Sequence, residues 1–184
     1  NILKLKYDEV TYMSNYGKTL KLNEPHEFFY FWEENLKLNE NLLDHKKNVK
    51  NINWNSLKKK LNTITCSLDA PVIFKGIYPG FYAKKISALM DNVFFIFIKR
   101  KPIDIAMSLY KARIDYYGNE KIWWGTHPEN YILLKKEDVY KQITGQILSL
   151  NKSYDEELNK IENKVIITYE DLCKNPDKII KEIK

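Results

Sequence analysis

The chain of 184 residues is 44% hydrophobic and 14% aromatic, enough to bury one sizeable core, and is taken as a single domain over 1–184. Its longest apolar run, residues 93–98, is too short to cross a bilayer, no charged-then-apolar leader opens it, and its two cysteines, Cys66 and Cys173, lack metal-like spacing. A membrane span, a disulfide framework and a zinc centre are therefore not expected. A soluble, cytoplasmic protein is, with both cysteines as small core residues and a net charge of +6 that suits an anionic ligand.

Asn1 in place of Met, and a last residue, Lys184, within a helical pattern, predict that the domain continues beyond both ends. Residues 1–62 are polar and rich in Lys and Asn, with aromatic and apolar stretches at 27–32 and 54–61. They read as helices and long loops covering a sheet. The turn residues 69–71 precede a short apolar strand, Val72-Ile73-Phe74, which ends at Lys75-Gly76 and the loop residues Pro79 and Gly80. Ala83, Ile86, Leu89 and Met90 recur at helical spacing, and 93–98 is a β-rich run read as a strand buried on both faces.

The loop Lys99-Arg100-Lys101-Pro102 follows, with Pro102 placed to open a helix. Ile103, Met107, Tyr110 and Ile114 then recur at spacings of four, three and four, which predicts an amphipathic helix lying on the sheet. The irregular aromatic stretch 116–131, with Trp123 and Trp124, reads as a lid or pocket wall. A helix is expected over 137–161, a buried strand over 165–167, and a last helix opened by Asn175-Pro176-Asp177. Strands alternating with helices make an α/β fold with a mainly parallel sheet.

Of 30 basic residues, 28 are lysine, and the two arginines, Arg100 and Arg113, stand thirteen apart. A chain that uses Lys so freely keeps Arg where a planar, permanently charged donor fork is needed, and phosphate is a frequent partner of such a fork. For Arg113 a structural ion pair fits as well as a ligand contact. Open α/β sheets bind ligands beyond the carboxyl ends of their strands, and Arg100 follows the 93–98 strand directly. The helix from Pro102 is expected to offer free backbone N–H groups to an anion, and Ser108, one turn past Asp104, leans back toward the same place.

The segment Phe97-Ile98-Lys99-Arg100-Lys101-Pro102-Ile103-Asp104-Ile105-Ala106-Met107-Ser108 resembles the signature of sulfotransferases that use phosphoadenosine phosphosulfate (PAPS): an apolar strand, then R-x-P-x-D-x-A-x-S. Residues 165–172, VIITYEDL, are similar to the family's strand plus YEDL. Glu24-Pro25-His26-Glu27-Phe28-Phe29 looks like the acidic, proline-containing segment of bacterial carbohydrate-type members, and residues 72–75 resemble the strand that carries a Lys toward the acceptor. The resemblance covers about 24–183 and implies a P-loop-like three-layer fold with a mainly parallel central sheet. It implies that Arg100 and Ser108 bind the 3′-phosphate of PAPS, with Tyr169 beside the nucleotide, and that a hydroxyl acceptor, a small molecule or a carbohydrate, is sulfated without a metal. Glu27 is the first candidate base and His26 the second, with Lys75 steadying charge or positioning the acceptor. Each has an ordinary alternative as a surface histidine, a helix-start carboxylate or a strand-end lysine.

Two departures qualify that likeness. Nothing before Glu24 matches the family's loop for the 5′-phosphosulfate, which is expected upstream of Asn1, and Ile77 stands where many members carry a histidine. Other classes fit less well. A nucleic-acid binder could use Lys58-Lys59-Lys60 and Lys135-Lys136, but these sit among 24 acidic residues, and Arg is nearly absent. A P-loop kinase would need G-x-x-x-x-G-K-[ST], which does not occur. A non-catalytic relative that kept the fold is the remaining alternative. The aromatics of 116–131 could stack on a sugar or simply pack a subdomain.

Overall fold

The computed structural model describes residues 27–39 and 41–183. Helices and one two-stranded parallel sheet make a mixed helix and strand architecture. Three helices come first: α1 (Phe29–Leu36), α2 (Leu42–Asn48) and α3 (Trp54–Leu68). Asparagines start two of them, because a side-chain oxygen can satisfy an N–H that has no partner within the helix. Asn41 accepts from the Leu43 N–H and Asn53 from the Ser56 N–H. Their apolar residues meet in one core of Trp32, Leu36, Leu42, Leu57 and Leu61, completed by Phe81, Tyr82 and Ile86 from a 3-10 turn (Tyr78–Tyr82) and α4 (Ala83–Leu89).

Strand β1 (Phe95–Lys99) pairs in parallel with β2 (Lys164–Thr168), Phe95 opposite Lys164 and Lys99 opposite Thr168. Between them run α5 (Pro102–Tyr117), the short α6 (Tyr131–Leu134) and the long α7 (Val139–Leu158). Pro102 opens α5 as expected, and Gly118 closes it at φ 63°, a left-handed conformation that costs glycine nothing. Asp138 caps α7 by accepting from the Tyr140 and Lys141 N–H groups, which holds its carboxyl below the ordinary range, the Lys141 N–H contributing most. After β2, Thr168 caps α8 (Tyr169–Lys174), and α9 (Pro176–Ile183) begins at the expected proline.

Four expectations are corrected. Residues 72–74 form no strand, so Lys75 is carried by an irregular segment and not by a strand end. The 93–98 strand is not buried on both faces: Phe95 and Phe97 are half-buried, while Ile96 and Ile98 on the other face are exposed, Ile98 to 53%. Nor does the stripe of α5 cover the sheet. Ile103, Met107 and Ile114 face solvent, and the helix instead buries Ala112 and Arg113. An apolar period locates a helical face without naming what it packs on, and here α7 supplies the packing surface for the opposite face of α5. Lastly, both cysteines are exposed thiols and take no part in the core. No helix among the described residues is long and apolar enough to cross a membrane.

Candidate functional site

Parallel pairing brings the two strand ends to one edge, and each strand leads into a helix: Lys99 through Arg100 and Lys101 into α5, and Thr168 directly into α8 at Tyr169. That register sets Arg100 beside Tyr169. The guanidinium carbon lies 4.9 Å from the centre of the Tyr169 ring, a cation–π contact that orients an otherwise exposed arginine. The Tyr169 phenol is raised above its ordinary pKa, first by its hydrogen bond with Cys173, while Arg100 pulls the other way. Ser108 is half-buried on the second turn of α5, about 9 Å along the axis from Pro102.

The amino terminus of α5 is less open to an anion than its sequence suggests. Pro102 has no N–H, the Lys101 N–H donates to Glu170 Oε1 at 3.2 Å, and the Asp104 and Ile105 N–H groups both turn back to the Lys101 carbonyl. Glu170 is held below the usual carboxylate range, first by its own backbone N–H, then by that of Lys101, with Arg100 also contributing. A carboxylate of the chain itself therefore occupies one anion contact at this edge. A bound phosphate would rely on the Arg100 side chain more than on a row of free amides. Residues 165–172 point to Tyr169 but not to Glu170, and parallel pairing of the two strand ends is the signal that would have placed it.

Glu27 and Lys75 form a second pair, Lys75 Nζ lying 3.3 Å from Glu27 Oε1. His26, Pro25 and Glu24 lie outside the described residues. A chain of contacts runs from this pair to β1. Tyr154 on α7 feels the charge of Glu27, donates its hydroxyl to the Ile77 carbonyl at 3.2 Å, and packs its ring against Phe81 and Phe97. Burial pushes the Tyr154 phenol far above its usual range, so it acts as a fixed donor. Next to it, Asp155 accepts a hydrogen bond from Lys99 at 2.8 Å, one residue before Arg100. Tyr154 thus ties the Glu27 and Lys75 segment to the strand that delivers Arg100.

Arg113 takes the structural role, without an ion pair among the described residues. It is fully buried, donates from Nη1 to Gln142 Oε1 at 2.8 Å and to the Glu120 carbonyl at 3.2 Å, and lies 5.0 Å from the Trp123 ring centre. The lysines 58 and 60 pair with Asp91 and Glu34 across exposed surface, as a solvated helix face would. Two open cavities, of about 460 and 360 Å³, are lined by other residues: the first around Glu33, Lys37 and Asn39, the second around Trp123, His127 and Tyr131. At the strand-end edge Arg100 and Tyr169 are both exposed and line neither of these cavities. No family model, curated protein or solved structure matches the chain.

Proposed function

We propose that the chain is a PAPS-dependent sulfotransferase of the P-loop-like three-layer kind, transferring a sulfuryl group to a hydroxyl acceptor such as a carbohydrate. The observation that carries this reading is Arg100 set over Tyr169 at the adjoining carboxyl ends of two parallel strands, beside the first turn of α5. An exposed guanidinium fits the 3′-phosphate of a nucleotide in charge and in shape, the α5 dipole adds to it, and Tyr169 offers an aromatic edge beside it. PAPS, when bound, supplies the activated sulfuryl group, whose bond to the phosphate oxygen breaks as the acceptor oxygen bonds to sulfur.

The chain's own tasks are to grip and to accept a proton. Arg100 and the hydroxyl of Ser108 hold the 3′-phosphate, and Glu170 gives up its place beside them. Glu27 takes the proton from the acceptor hydroxyl, and for that Lys75 must let go of the carboxylate. Released, the Lys75 ammonium is free to steady charge growing on the leaving oxygen. His26 is the other candidate base.

The test is selective loss. Arg100→Ala removes a charge-assisted contact of about 1.5–3 kcal/mol, so binding of adenosine 3′,5′-bisphosphate is expected to weaken roughly 10- to 100-fold. Binding of adenosine 5′-monophosphate should hardly change. Equal loss for both nucleotides would remove the assignment of the 3′-phosphate to Arg100.

A further inference from the structure

The loop between α5 and α7 encloses chemistry that the strand-end edge does not use. A cavity of about 360 Å³ opens there, lined by Lys121, Trp123, His127, Tyr131, Lys135 and Gln142, with Ile122 at its side. That volume lies within the range of small-molecule sites. Among the described residues its lining holds two lysines and no carboxylate. Its walls are flat: His127 and Tyr131 stack at 3.8 Å with rings 2° from parallel, and Trp123 meets the Tyr131 ring edge-on at 4.8 Å. Lys135 lies 5.8 Å from the Tyr131 ring centre.

Behind this lining sits the fully buried Arg113. Its Nη1 is bonded to Gln142 and its guanidinium lies over Trp123, two of the residues that line the cavity. Its Nε and Nη2 have no hydrogen-bond partner among the described residues, and neither does the buried Nε1 of Trp123. Its two partners, a glutamine and a backbone carbonyl, are neutral. A buried cation without a countercharge is costly, and unpartnered buried donors are uncommon in native proteins. An anion seated in the adjoining cavity would offset that charge across a short, partly dry distance.

We propose that this cavity is a second binding site, taking a sugar-sized ring that carries a carboxylate or sulfate, its flat face against the aromatic cluster of Trp123, His127 and Tyr131 and its anionic group toward Lys121 and Lys135. The site is separate from the strand-end edge. Arg113 lies eleven residues beyond Pro102 on α5, about 17 Å along the helix from the Arg100 loop. The α7 helix spans the same interval, from Gln142 beside the cavity to Asp155 beside Lys99. The inference stands whether or not Arg100 binds a nucleotide.

Titration of the chain with glucuronate, glucose and sodium sulfate, followed by calorimetry and by the indole N–H resonance of Trp123 (assigned with Trp123→Phe), tests it. Glucuronate is expected to bind and to move the Trp123 signal, glucose to bind far more weakly, and sulfate to bind more weakly than glucuronate. The double variant Lys121→Gln, Lys135→Gln changes two exposed side chains and leaves the packing intact. It should bind glucuronate roughly tenfold more weakly, the sum of two modest charge contacts. Glucose binding as well as glucuronate, or unchanged affinity in the double variant, would overturn the anion assignment. Sulfate matching glucuronate would overturn the ring assignment, and a Trp123 signal unmoved at saturation would overturn the location.

Discussion

Arg100 and Arg113 show how one residue type serves two ends on one helix and its approach. Arg100 is exposed and oriented by a ring, whereas Arg113 is buried against Gln142, the Glu120 carbonyl and Trp123. Composition singled out both, but only contacts separate them, since the partners of Arg113 come from 29 and 7 residues away. Glu170 competes with any anion at Arg100, so Glu170→Gln should tighten binding of adenosine 3′,5′-bisphosphate. Relief of one like charge near the surface should tighten binding a few-fold, read by calorimetry at low salt, where screening is weakest. Unchanged or weaker binding would mean that Glu170 supports the loop more than it repels the ligand. His45 gives a pH dependence. Its buried ring accepts the Asn39 N–H at Nε2, so the neutral form carries its proton on Nδ1, and burial lowers its pKa from the ordinary 6.5. Folding favours the neutral ring, so this contribution is complete above pH 6.5 and is lost as the pH falls below it. The melting temperature is expected to drop between about pH 7 and 5, and His45→Gln should flatten that part of the profile.

Among elements, those with local signals were legible and those defined by distant partners were not. Pro102 and Pro176 mark helix starts, and Asp138 and Thr168 cap α7 and α8, because each depends on neighbours a few residues away; the apolar runs at β1 and β2 were legible from composition, although their pairing joins residues 69 apart, as Phe95 with Lys164. The segment 72–74 has a strand's composition, but Phe74 packs on Phe31 and Trp32 of α1 and finds no strand partner among the described residues. The α5 stripe likewise gave the right helix and the wrong packing face. The 3-10 turn reaches α7 through a close approach that admits glycine alone: a Cβ on Gly80 would stand 2.8 Å from Tyr154 Cε1, in a ring stacked on Phe81. Gly80→Ala is therefore expected to lower stability by about 1–3 kcal/mol, seen as a shifted denaturation midpoint. Because Tyr154 links this turn to β1, the same variant should loosen the Glu27 and Lys75 segment. A fully stable Gly80→Ala protein would show that Tyr154 moves freely.

Across the described residues, a helical core stands on one side of a small parallel sheet, and the strand ends of that sheet carry two of the residues singled out by sequence, Arg100 and Tyr169. Local pattern anticipated the mix of helices with a parallel pair of strands and the position of Arg100 at a strand end. It did not anticipate the Glu170 contact, which arises from parallel pairing across a long separation, whereas the aromatic stretch 116–131 did point to a pocket wall, and Trp123, His127 and Tyr131 line the cavity there. The exposed Ile98 and Ile103 leave apolar surface beside the same edge. The proposed recognition of a nucleotide by its 3′-phosphate belongs to this edge. Calorimetric titration of the chain with adenosine 3′,5′-bisphosphate against adenosine 5′-monophosphate tests it most directly. Binding at least tenfold tighter for the bisphosphate is the predicted result, the minimum for one charge-assisted contact. Equal affinities, or no binding of either nucleotide, would contradict it.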